Sequence, residues 1–189
     1  MLALEQFAAK WGKDDLVPIP TTMLRDLNIP QDDKDFLAQA GLPQAAAIPT
    51  GGAGDFALLS VQAGAEPDKP KYPLLSEYEH SYYLLGFIRY SPDFGHDTYF
   101  CIEKHSGAIR LIDNEDPSVY FVNSSVSAFA QALLAYRSFI EPSSNDPLKD
   151  KNRGRLTRVR REIKAFDAKA FASRTNYWPL MLADLADQI

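Results

Sequence analysis

The chain has 189 residues, 46% of them hydrophobic and 24% charged, a globular balance that excludes a disordered or fibrous class. Its single cysteine, Cys101, excludes an intramolecular disulfide framework and any cysteine cluster around zinc or iron–sulfur. The net charge of −5 is unevenly spread, because Lys149 to Lys164 carries eight basic residues against Asp150 and Glu162, a local +6 that leaves −11 for the remainder. An acidic body with a basic strip makes nucleic acid an unfavoured partner and favours a cationic protein.

The stretch from Met1 to Trp11 lacks a basic start followed by an apolar run, and no apolar stretch reaches membrane-spanning length. The expected location is therefore cytoplasmic, with no membrane partner, and the length suits one domain covering residues 1–189. Leu4, Phe7 and Trp11 recur at helical spacing and predict a short helix that ends near Gly12, before the breakers Pro18 and Pro20. A second helix is expected from Gln31 to Ala40. Pro30 suits its first turn, Asp32 and Asp33 favour its positive end, and Gly41 with Pro43 supplies the stop.

After a turn-rich connector at Pro49 to Gly54, strands are predicted at Asp55–Val61, Tyr82–Arg89, Thr98–Glu103, Ala108–Asp113 and Val119–Val122, with a loop over Gln62 to Pro73. Lys104, His105, Ser106 and Gly107 form a four-residue hairpin loop in which glycine can take positive φ. Short connections dictate antiparallel pairing, hence a meander. Asn123, Ser124 and Ser125 offer caps for a helix over Val126–Phe139, whose Phe129, Leu133, Tyr136 and Ile140 share a face.

Beyond the polar linker Pro142 to Pro147, Leu156, Val159, Ile163, Phe166 and Ala170 recur at steps of three and four. The basic segment is thus an amphipathic helix at about residues 152–173 whose charges are mostly its wet face, pairing with nearby carboxylates. A last helix at about 177–188 begins with the anchors Tyr177 and Trp178. Helices, an antiparallel sheet, then helices packed on it make an α+β fold.

Motifs for chemistry are weak. Gly52, Gly54 and Ala57 have the spacing of a dinucleotide-binding turn, but the flanks read as turn then strand, not strand then helix. His80, His96 and His105, with Asp93, Asp97 and Glu103, lack ligand spacing and read as turn and loop residues. Ser124 and Ser125 read as helix caps and Cys101 as a small buried strand residue, so no activated nucleophile is expected, and neither is a cofactor or a metal. Two segments, Tyr90 to Asp97 and Asp113 to Tyr120, interleave aromatics with carboxylates beside strand ends. Tyr90, Asp93, Phe94, Asp97, Glu115, Asp116 and Tyr120 are accordingly the candidate partner-binding residues, since aromatic anchors inside a charged rim are what protein interfaces use.

Several pieces in order resemble one family: Phe36-Leu37 with Gly41-Leu42-Pro43, Leu84-Leu85-Gly86, Ser106-Gly107-Ala108-Ile109, Phe121-Val122-Asn123-Ser124-Ser125 leading to Phe129, and Ile163, Phe166-Asp167 and Tyr177-Trp178. Together, from about Thr22 to Leu185, they are similar to the SUKH-4 group of the SMI1/KNR4 superfamily. The resemblance implies an α+β fold without catalysis and a role as an immunity protein that binds and occludes a cognate toxin domain of a polymorphic or contact-dependent system. The acidic body suggests a cationic toxin, such as a nuclease. The alternative on the same fold is a non-catalytic intracellular scaffold or regulatory adaptor, and a third reading is a hydrolase.

Overall fold

The computed structural model describes residues 4–49, 55–58, 80–89, 97–113, 118–141 and 151–189. Helix α1 spans Leu4–Trp11, and a 3-10 turn at Lys13–Asp15 leads into strand β1, Leu16–Val17. Helices α2, Thr21–Leu24, and α3, Gln31–Gln39, follow. Strands β2, Leu42–Pro43, β3, Ala45–Ala47, β4, Asp55–Leu58, β5, Tyr82–Arg89, β6, Asp97–Glu103, β7, Ile109–Asp113, and β8, Val119–Asn123, come next. The chain then forms α4, Val126–Ile140, α5, Asn152–Phe166, a 3-10 turn at Ala168–Phe171, and α6, Tyr177–Asp187.

Strands β3 to β8 form one sheet in sequence order, every neighbour antiparallel, so the α+β meander expected from the short connections is the observed architecture. Strands β1 and β2 form a separate ladder, Leu16 opposite Pro43 and Val17 opposite Leu42, that ties the N-terminal segment to the end of α3. Gly41 makes that approach feasible: it stands at φ +72, and a Cβ there would run into the Val17 carbonyl.

One face of the sheet meets the helices. Leu85, Ile88, Phe100, Ile102, Ile109, Leu111 and Val122 enter the main core, where the Phe100 ring lies 5.1 Å from Phe129 and edge-on to Tyr177 at 5.7 Å. Ten of the fifteen residues of α4 are buried, which makes it the central helix of the helical layer and not a one-faced lid. Its alanines at 128, 130, 132 and 135 keep it thin enough to be covered on several sides. The exception runs against expectation: Ile140, assigned to the apolar face, ends the helix 46% exposed. The reverse face of the sheet carries a smaller cluster of Tyr99, Cys101 and Ile112, flanked by Tyr82, Leu84 and Phe87. Cys101 is fully buried there, as its place between Phe100 and Ile102 suggested.

Ser125 caps α4 by accepting from Ala128 N at 3.1 Å, as expected of one of the three polar residues before the helix. Asn123 has a different role. Its side chain, fully buried, donates to Asp167 Oδ2 at 2.9 Å and accepts from Trp178 Nε1 at 3.0 Å, while Ser124 N donates to the same Asp167 oxygen at 2.8 Å. This network explains why the basic helix stops at Phe166 instead of running to residue 173. Asp167 leaves helical geometry, φ −143 and ψ 80, to turn its carboxylate inward, and Ala170 reaches the core from the 3-10 turn that follows.

The seam of α5 is as the periodicity required: Leu156, Val159 and Ile163 are buried and Phe166 packs at its edge. Arg155 is the one cation of this helix that is buried, with its guanidinium 4.8 Å above the Phe139 ring.

Two stability tests follow from this packing. Ile163→Asp buries an unpaired charge and is expected to lower the unfolding free energy by several kcal/mol in urea titrations, whereas Arg160→Gln with Arg161→Gln shifts it by less than about 0.5 kcal/mol. An unchanged urea midpoint for Ile163→Asp would show that α5 does not dock on the core. Trp178→Phe strips the donor from buried Asn123 Oδ1 and is expected to cost about 1–3 kcal/mol beyond the lost ring area. Equal stability of Trp178→Phe and the parent would mean that the network holds nothing.

Candidate functional site: the two ends of the sheet

Antiparallel register sorts the connections between strands onto opposite ends. At one end β3 leaves through Ala47, opposite Asp55, β5 leaves through Arg89, opposite Asp97, and β7 leaves through Asp113, opposite Thr98, to return at Val119. The connections 48–54, 90–96 and 114–118 therefore begin and end side by side. The two acidic and aromatic stretches singled out in the sequence belong to this end. Tyr90, Asp93, Phe94, Glu115 and Asp116 lie outside the described residues, and Asp97 is described only as backbone at the start of β6. Tyr120 stands opposite Leu111 in β8, half-buried, and packs against the main core.

At the other end, among the described residues, the N-terminal helices meet the sheet. There the β6–β7 turn puts His105 at φ 66 and Gly107 at φ 71. A Cβ on Gly107 would collide with the Asp33 carboxylate and press on Pro30, so this glycine is required by space as well as by φ. Asp33, only 3% exposed, accepts from Val126 N at 2.9 Å and so binds α3 to the first turn of α4. His105 N donates to Asn28 O at 2.7 Å, Asn28 N donates to the Tyr83 hydroxyl at 2.9 Å, and Lys104 N donates to Ser81 O at 2.8 Å. Nothing in the sequence singled out Asp33 beyond its favourable place in a helix first turn. Its burial is a property of the partner helix that lands on it.

The electrostatics of this end are structural. Desolvation pushes the Asp33 carboxyl up to about 6, outweighing the backbone donors of Val126 and Ser127 that favour its charged form. Burial alone would also raise Glu103, but the Ser106 hydroxyl at 2.6 Å and the Arg110 guanidinium at 3.1 Å overcome it and hold Glu103 below the usual carboxylate range. Glu103 is thus committed to a hairpin ion pair, and the ring of Phe121 lies 5.1 Å from the Arg110 guanidinium.

The remaining candidate chemistry has structural explanations. Burial pushes the Cys101 thiol up to about 12, which leaves almost no thiolate at neutral pH. His105 is an exposed turn residue and His80 is exposed as well, while His96 lies outside the described residues. Among the described residues no three His, Cys, Asp or Glu side chains come together as metal ligands. Gly52 and Gly54 also lie outside the described residues, and Ala57 belongs to strand β4, so the helix that a dinucleotide-binding turn needs is not there. A groove of about 690 Å³ between α1, α4 and α5 has cations and anions side by side, and Arg137 in its wall already binds Glu141 at 3.0 Å and Trp11 O at 2.7 Å. No described helix is long and apolar enough to cross a membrane.

The raised Asp33 carboxyl carries a sign. Its unfolded value is near 3.8 and its folded value about 6, so the native state binds a proton first, and the stabilisation is full below about pH 4 and lost as pH rises through 6. Asp33→Asn keeps an acceptor for Val126 N without titrating. The stability of the parent relative to Asp33→Asn, followed by thermal melts, is expected to fall between pH 4 and 7 by up to about 3 kcal/mol. A difference independent of pH would return Asp33 to an ordinary carboxylate.

The pieces whose order resembles a family now have a common geometry. Gly41-Leu42-Pro43, Ser106-Gly107, Asn123-Ser124-Ser125, Phe166-Asp167 and Tyr177-Trp178 are the close approaches, caps and buried hydrogen bonds just described. A family model described as SUKH-4 immunity protein matches residues 2–184. Comparison with curated proteins and with solved structures gave no match. The match spans nearly the whole chain, in the order of elements that the fold displays, and the chain belongs to the SUKH-4 immunity protein family.

Proposed function

We propose that this chain acts as one domain that neutralises a cognate toxin by binding it and occluding its working surface, inside the cell that makes both, without catalysis of its own. Membership of an immunity-protein family implies the toxin partner. The contact we infer is the loop end of the sheet, with Tyr90, Phe94 and Tyr120 as anchors and Asp93, Asp97, Glu115 and Asp116 as a charged rim. The observation that carries this reading is that the strand ends flanking these residues stand side by side, at the end of the sheet opposite the contacts of Asp33 with Gly107 and the first turn of α4. The −11 charge outside Lys149 to Lys164 supports a cationic target, of which a nuclease domain is the reading we favour.

Rim charges act mainly on association and central aromatics mainly on dissociation. Neutralising Asp93, Asp97, Glu115 and Asp116 together is expected to lower the on-rate for the toxin and flatten its salt dependence, measured by surface plasmon resonance on folded protein. Phe94→Ala is expected to raise the off-rate by roughly tenfold or more, equivalent to about 1.4 kcal/mol. A folded quadruple variant that associates at the parental rate in low salt would refute the loop end as the steering surface.

A further inference from the structure

Helices α5 and α6 lie against each other and leave between them a groove of about 500 Å³. Its floor is apolar: Leu156 and Leu182 are buried, and Ala183 and Ala186 are too small to fill the space above them. Its rim is cationic. Arg153 and Arg160, both exposed, stand two turns apart on α5, about 10 Å along the axis. Exposed Arg161 and Lys164 continue the same side, so four cations share an arc of about 100° around α5 with no acidic residue of that helix among them.

These charges form the exposed face that the sequence suggested, but not the pairing with carboxylates. None of the four makes an ion pair among the described residues, and the guanidinium of Arg160 lies 5.6 Å from the Phe171 ring instead. Among the described residues Asp187 is the one carboxylate lining the groove. Concentrated positive charge that is not neutralised locally destabilises the surface that holds it. An apolar floor between cations favours a ligand that is apolar on one side and acidic on its flanks. Nucleic acid fits less well: among the described residues the groove lining holds no aromatic ring, Phe171 is already against Arg160, and a polyanion longer than α5 would run onto a body carrying −11.

We propose that the α5–α6 groove is a second protein-docking surface, separate from the loop end of the sheet, which receives an amphipathic helical segment that sets apolar side chains on Leu156 and Leu182 and carboxylates against Arg153 and Arg160. The mode is a helix laid into a groove between two others, with guanidinium–carboxylate pairs fixing its register. It stands independently of the toxin-binding reading, since it uses different elements and the opposite charge.

The test is fluorescence anisotropy with a labelled synthetic peptide of about eighteen residues, helix-forming, with leucines along one face and glutamates elsewhere. A peptide with glutamine for glutamate and a single-stranded DNA of similar length serve as controls. The glutamate peptide is expected to bind the full chain, to weaken at least tenfold when Arg153→Glu and Arg160→Glu are combined, and to weaken as salt is raised. Ala183→Phe, at an exposed position, fills the groove and is expected to block the peptide while leaving the thermal midpoint unchanged. Absence of peptide binding in low salt would overturn the proposal, as would binding that both variants leave intact. Tighter binding of the DNA, lost in the arginine variant, would overturn it too, by making the strip a nucleic-acid surface.

Discussion

Asp167 Oδ2 accepts two hydrogen bonds at once, from Asn123 Nδ2 and from Ser124 N, and Asn123 in turn accepts from Trp178. The sheet edge, the end of α5 and the start of α6 are held by this one buried set of polar groups, all at 3% exposure or less apart from half-buried Ser124. A buried carboxylate without partners would be expensive, whereas one supplied with charge-assisted donors rigidifies its surroundings. The arrangement therefore selects a single placement of the C-terminal helices. Everything on their outer side, including the cationic rim of α5, inherits its position from it.

The end of the sheet near α3 follows the same logic with a different cost. Asp33 supplies an acceptor to the start of α4, and Gly107 supplies the room for it. Desolvation is only partly offset there, which is why the carboxyl rises. Both buried carboxylates fasten elements far apart in sequence. Several residues by which the chain resembles its family, Gly107, Asn123, Ser124, Asp167 and Trp178, sit at these fastenings.

Long periodic segments were legible in the sequence. β5 ran from Tyr82 to Arg89 as its run of β-formers indicated, and α4 began behind Ser125 as its cap required. What was not legible was short or tertiary in origin. The ladder of β1 and β2 has two residues a side and no pattern of its own, and β3 consists of three alanines, poor strand formers that are strand because β4 pairs with them and α4 packs nearby. Helix α5 ended early because Asp167 is recruited by Asn123, a contact 44 residues away that no local window contains. The two acidic, aromatic stretches were legible as a pattern, and the register of the strands that flank them is what brings their ends together.

The spacing of the fastenings along the chain also gives the fold a timetable. Strands of a meander can pair with their neighbours as they emerge from the ribosome, since each partner has just been made. Asn123 cannot be satisfied until Trp178 appears, 55 residues later, and the Tyr177 hydroxyl closes on Pro49 O across 128 residues. At ordinary synthesis rates of about 5–20 residues per second, the sheet waits roughly 3–11 seconds with its helical layer unsealed. The helical layer is sealed on the sheet only when the last helix has been made.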